Sequence, residues 1–223
     1  LAIHGDLDLS QIDELPPGRK PIQTKLISGS DRDVAYELIR NEVSKGGSAY
    51  VVLPLIEDSE KIDLRSAVKV HQELAHTVFP DFKVGLLHGR MSAAEKQQIL
   101  QSFQCGECQV LVSTTVVEVG VDVTNATVML VEHSERFGLA QLHQLRGRVG
   151  RGESESHCIL INESQNPLAR QRLEVLVRSN DGFEIADMDL RFRGPGQVLG
   201  TRQSGLPDFA LASLEEDGEV LIE

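Results

Sequence analysis

The 223-residue sequence has no apolar run of about 18 residues, so no membrane-spanning helix is expected. No secretory leader is visible at its start. It has three cysteines, an odd number without framework spacing, which excludes a disulfide scaffold and fits a reducing cytosol. Cys105 and Cys108 in "CGEC" have the spacing of a zinc knuckle. A structural zinc site needs four ligands, and the only further cysteine is Cys158, beside His157. The pair reads as small residues around a turn, and no metal site is expected. No Lys or Arg follows Arg202, while Asp208, Glu215, Glu216, Asp217, Glu219 and Glu223 supply half of the net charge of −12. Conversely, residues 136–152 hold four arginines and no acid. The net charge is thus a weak argument against a polyanionic partner. The local charge favours one, a solvated basic face being the alternative.

Hydrophobic residues at 40% and charged residues at 25% are ordinary for a globular protein. The length suits one good-sized domain with an appendage. The first residue is Leu, and "LAIHGDLDL" reads as the interior of a fold, so a piece of a longer protein is expected.

"IDELPPGRKPIQT" (12–24) reads as an extended connector. "SDRDVAYELIRNEVSKGG" places Val34, Leu38, Ile39 and Val43 near helical spacing, with Ser30 able to cap and Gly46–Gly47 to terminate. "LRSAVKVHQELAHTVF" is helical. "SAAEKQQILQSF" opens on a capping box, Ser92 with Glu95. Between these lie short apolar runs of strand type: "SAYVVLPL", "KVGLLHG", "CQVLVST", "ATVMLVEH" and "SHCILINE". The alternation predicts an α/β fold, a parallel sheet with helices on both faces and functional loops at the strands' carboxyl ends. Three such ends carry "HGRM", "STTVVEVGVD" and "EHSERFG". After residue 165 two helices, "NPLARQRLEVLVRS" and "DGFEIADMDLRF", form a hairpin, followed by the loop "RGPGQVLGTRQSG".

The segment "QLHQLRGRVGRG" (141–152) concentrates Arg146, Arg148 and Arg151 in six residues. Arginine presents a planar fork of donors that matches phosphate oxygens. On a helix-to-loop segment Arg148 and Arg151 could face one site, and the glycines permit close backbone approach. In "STTVVEVGVD", Ser113, Thr114 and Thr115 sit at a strand end where hydroxyl and amide groups can hold phosphates, and Gly120 and Asp122 form a polar turn. Each motif alone is also readable as a cap, a turn or a solvated basic loop.

In order, strand–HG, strand–STT(x)₄GVD and Q(x)₃R(x)₂R resemble the second RecA-like domain of superfamily-two helicases. "DLRFRGPGQVLGTRQSG" (189–205) resembles the translocation motif of the RecG family of branch-migration helicases, and the opening segment resembles that family's exit from its first RecA-like domain. The resemblance implies a RecA-like domain over 25–165, a connector over 1–24 from a preceding RecA-like domain, and a hairpin, translocation motif and acidic tail over 166–223. It implies Arg151, Arg148 and Gln144 as catalytic, with Arg151 the finger on the γ-phosphate, and Gly120 and Asp122 beside ATP. His88, Gly89, Arg90, Thr114 and Thr115 would touch the DNA backbone. Arg191, Arg193, Gly194, Arg202 and Gln203 would couple ATP to movement. The sequence has no GxxxxGK[ST] phosphate loop and no DExx[HD] carboxylate pair. ATP and Mg²⁺ would therefore be held mainly by the preceding domain. The expected partners are forked or branched DNA and the preceding wedge and RecA-like domains, in a monomeric bacterial cytoplasmic protein at the nucleoid. Alternatives are a duplex-DNA translocase of the transcription-repair coupling factor type and a non-catalytic nucleotide-binding module.

Overall fold

The computed structural model describes residues 20–54, 60–114, 126–152 and 154–193, with side chains for all but residues 60–63 and 193. Six strands form one all-parallel sheet: β1 (Gln23–Ser28), β2 (Ser48–Val52), β3 (Val84–Leu87), β4 (Val110–Ser113), β5 (Ala126–Val131) and β6 (His157–Asn162). Their spatial order is β1-β6-β5-β2-β4-β3. β2, β4 and β5 are buried along their whole length, which is why they read as continuous apolar runs rather than alternating ones.

Side-chain parity sorts the two faces. Tyr50, Val52, Leu111, Met129, Val131 and Leu160 point one way, against α3 (Ala93–Gln104), α4 (Leu139–Arg146), α5 (Pro167–Arg178) and α6 (Gly182–Arg193). Ala49, Val51, Val110, Val112, Val128 and Leu130 point the other way, against α1 (Arg32–Ser44) and α2 (Glu60–Glu73). From Leu74 to Val78, α2 runs on as a π-helical turn, which Phe79 closes by donating its amide to Leu74 O at 2.7 Å. The α/β fold with helices on both faces is thus the one expected. Among the described residues no helix is long and apolar enough to cross a membrane.

Ser92 and Glu95 form the expected capping box at the start of α3. At α1 the details differ. Ser30 lies in a 3₁₀ turn (Gly29–Asp31) and donates to Ser28 Oγ at 3.1 Å instead of capping, and Asp31 takes the N-cap position. Val34 is 65% exposed, and the buried stripe runs through Ala35, Ile39 and Val43. Gly46, at φ +93°, supplies the left-handed residue that ends α1. Residues 23 and 24, read as connector, are the first two of β1. The chain divides into two compact units, Leu1–Asp189 and Leu190–Glu223; of the second, the last turn of α6 is described.

Candidate functional site

Because all six strands are parallel, every strand ends at one edge of the sheet and starts at the other. At four to six residues per strand, the two edges are about 13–20 Å apart.

At the carboxyl edge, β3 and β4 pair with Leu87 opposite Ser113. The Thr114 amide donates to Leu87 O at 3.2 Å, which puts Ser113 and Thr114 directly beside the His88–Arg90 loop. That loop is pinned by Met91 N to His88 O at 3.2 Å, by Lys96 Nζ to Gly89 O at 3.0 Å, and by the adjoining capping box. Gly89 and Arg90 are exposed, whereas Thr114 is only 5% exposed. His88 is half-buried, and burial pushes its pKa down, helped by Lys96 and Arg90. Its Nδ1 is buried with no partner. Thr115, Gly120 and Asp122 lie outside the described residues.

The other half of this edge holds a cluster the motifs did not mark. Arg32, at the start of α1, forks onto Glu132 with Nε to Oε1 at 3.0 Å and Nη2 to Oε2 at 2.9 Å, and reaches Glu163 Oε1 at 2.7 Å. Its pKa is raised, first by the hydrogen bonds it donates to Glu132. The corner after β5 is fixed from several sides. Ser134 Oγ donates to Ile161 O at 2.8 Å, Glu163 N to Glu135 Oε2 at 3.2 Å, and Arg172 Nη2 to the carbonyls of Glu135 and Phe137 at 2.6 and 3.1 Å. His133 is held at φ 47°, ψ 48° there, unusual for a non-glycine residue. Glu132, His133 and Arg136 border a cleft of about 340 Å³ whose floor includes Leu53, Val70 and Leu74. "EHSERFG" had flagged this strand end, but Arg32 and Glu163 are 100 and 31 residues distant from Glu132 and carry no local signal.

α4 leads away from this corner towards the amino edge, about 12 Å for its eight residues. The turn that follows carries Arg148 and Arg151 beyond the helix end, with Gln144 exposed on its last turn. Gly150, at φ +77°, sits against the chain entering β1: a Cβ there would be 3.0 Å from Ile22 Cγ1. Gln23 N donates to Ser156 O at 2.9 Å, so the turn lies beside the starts of β1 and β6. The three arginines divide. Arg146 is 3% exposed, with Nη1 donating to Leu176 O and Ser179 O, both at 2.8 Å, and to Thr24 Oγ1 at 3.4 Å. Its Nη2 donates to His143 Nδ1 at 2.8 Å. Burial lowers the pKa of both groups, and the charge of Arg146 lowers that of His143 further. Arg148 is partly exposed and Arg151 exposed. No group of three or more His, Cys, Asp or Glu able to hold a metal occurs among the described residues. Arg191 is exposed on the last turn of α6; the side chain of Arg193 and residues Gly194, Arg202 and Gln203 lie outside those described.

The chain has similar proteins of known name. Residues 31–153 match the helicase conserved C-terminal domain family, and residues 179–222 match the C-terminal part of domain 3 of ATP-dependent DNA helicase RecG. RecG of Synechocystis sp. is 60% identical over 222 residues, and RecG of Thermotoga maritima 50% identical over 221. The alignments take in 100% and 99% of this chain but 27% and 28% of those relatives. A solved structure of RecG bound to a three-way DNA junction superposes with a TM-score of 0.71 at 46% identity, covering 94% of this chain and 27% of that one. The chain belongs to the helicase conserved C-terminal domain family, and within that family its resemblance is to RecG.

Proposed function

We propose that this chain is the C-terminal motor part of an ATP-dependent DNA helicase that unwinds or branch-migrates forked and Holliday-type DNA in replication restart, recombination and repair. The observation that carries the reading is the amino-edge turn. Arg146 is consumed in holding the fold, while Arg148 and Arg151 extend past the helix on a turn whose segment contains no acid. Such a pair suits the γ-phosphate of an ATP held by another domain. Arg151 is the finger, Arg148 assists, and Gln144 orients the site. Gly120 and Asp122 lie by the nucleotide. Charge on the phosphoryl oxygens is neutralised by donors already positioned, the means by which an arginine finger accelerates phosphoryl transfer.

The carboxyl edge serves the DNA. His88, Gly89, Arg90, Thr114 and Thr115 meet the sugar-phosphate backbone, whose contacts carry no base sequence. That suits a motor that moves along any DNA. Arg191, Arg193, Gly194, Arg202 and Gln203 transmit cleft closure to the track. In this reading residues 25–165 are the second RecA-like domain, 1–24 the connector, and 166–223 the hairpin, translocation motif and tail. ATP and Mg²⁺ are held mainly by the preceding RecA-like domain. The complete protein acts as a monomer in the cytoplasm at the nucleoid.

The test is strand separation on a synthetic fork by the complete protein, with and without ATP. ATP-dependent separation supports the reading; ATP hydrolysis with no separation or branch migration on any branched substrate contradicts it. This chain alone, without a phosphate loop in its sequence, is expected to release no phosphate above background.

A further inference from the structure

The α5–α6 hairpin grips α4 at both ends. At the start of α4, Asp189 of α6, 7% exposed, accepts the Leu139 amide at 3.4 Å, a carboxylate at the positive end of a helix. At the other end, the Arg146 guanidinium reaches across to Leu176 O in the last turn of α5 and to the carbonyl of its C-cap, Ser179 O, a cation at the negative end of that helix. Between the ends, Leu142 and Leu145 pack in one cluster with Leu173, Leu176 and Ile185. The backbone of Arg146 continues the grip into the turn, for its carbonyl accepts the Val149 amide at 3.3 Å. His143 completes the set by offering its Nδ1 lone pair to Arg146, which requires the neutral ring with its proton on Nε2.

We propose that Arg146 and Asp189 are positioning residues that fix the axial and rotational setting of α4 on the hairpin, and through it the place of Arg148 and Arg151. This rests on the reading of those two arginines as nucleotide-facing. Arg146 touches no nucleotide in this account; it acts through the two arginines that follow it. The fork geometry is essential because one guanidinium serves two carbonyls, a hydroxyl and an imidazole. A lysine ammonium keeps the charge but cannot span that set.

The experiment measures steady-state ATP hydrolysis by the complete protein at saturating forked DNA. For Arg146→Lys, kcat is expected to fall about 10- to 100-fold, the scale for a small misplacement of a catalytic group, with the KM for ATP changed less than about 3-fold. Asp189→Ala is expected to act in the same direction. Asp189→Asn, which keeps an oxygen for the Leu139 amide, is expected to recover kcat to within several-fold of the parent. Asp189 supplies the answer if Arg146→Lys does not fold. An unchanged kcat per folded molecule, a change confined to KM, or no rescue by Asn overturns the inference. Arg148→Ala and Arg151→Ala are run beside them. If these leave kcat intact, the reading of the nucleotide site fails; if they abolish it while Arg146→Lys and Asp189→Ala do not, only the positioning role fails.

Discussion

The two edges of the sheet handle arginine in opposite ways. At the carboxyl edge, Arg32 is neutralised by Glu132 and Glu163, and its role is to tie α1 to the ends of β5 and β6. At the amino edge, buried Arg146 is satisfied by carbonyl oxygens, a hydroxyl and a neutral imidazole, none of which cancels its charge. An ion pair closes its field locally; a carbonyl-bound guanidinium leaves the surroundings positive. Arg146 thus does structural work while adding to the positive potential around Arg148 and Arg151. That difference separates the β5–β6 end of the carboxyl edge, where the arginine is held in an ion pair, from the amino-edge turn, where the buried arginine keeps its charge.

The largest expected effect tests the amino edge. In the complete protein, Arg151→Ala is expected to lower the kcat of DNA-stimulated ATP hydrolysis by about 10³-fold or more while ATP binding stays within a few-fold. Nucleotide binding and turnover on the same preparation check it. An unchanged kcat would transfer the finger role to Arg148. The second effect belongs to the segment that runs on from the last residue of α6. Arg193→Ala or Gln203→Ala is expected to leave ATP hydrolysis within several-fold but to reduce strand separation about 10-fold or more, if the segment only transmits motion. Rates measured on one forked substrate decide it, since a proportional fall in both would make the segment a mere support for the nucleotide site.

Next in size is the carboxyl-edge ion pair. Glu132→Ala removes the buried partner of Arg32, which is one-third exposed and keeps Glu163, and is expected to destabilise the domain by about 2 kcal/mol, read by denaturant unfolding. A loss under 0.5 kcal/mol would mean that this edge does not depend on charge pairing. The smallest is Ser92→Ala, expected to cost about 1 kcal/mol as the cap at α3 is lost. This cap borders the His88–Arg90 loop, so DNA affinity should also weaken slightly, and an unaltered melting temperature would show the loop to be held by other means.

What could be read in the sequence follows from how local each signal is. The buried strands announced themselves because β2, β4 and β5 are covered on both faces. The Ser92–Glu95 box was legible because its partners are three residues apart. β1 was obscured because an edge strand needs little apolar surface: Gln23, Lys25 and Ser28 are exposed, and Pro21 just before it reads as connector. Arg146 looked identical to Arg148 and Arg151, since what sets it apart is the end of a helix 30 residues downstream. The Arg32–Glu132 fork spans 100 residues, and nothing in either local pattern announces it. Fold and motif order are therefore sequence-legible, while the split of the arginines into buried and exposed depends on tertiary partners.

The central claim is that nucleotide and DNA are served by opposite edges. It is tested most directly by titrating forked DNA into ATP hydrolysis by the complete protein and its Arg151→Ala and Arg90→Ala variants. Arg151→Ala should lower the plateau without moving the DNA concentration at half-saturation. Arg90→Ala should raise that concentration, with the salt dependence of binding reduced by about one phosphate contact, and leave the plateau near the parent's. If both variants move the same parameter, the two edges do not divide the work and the account is wrong.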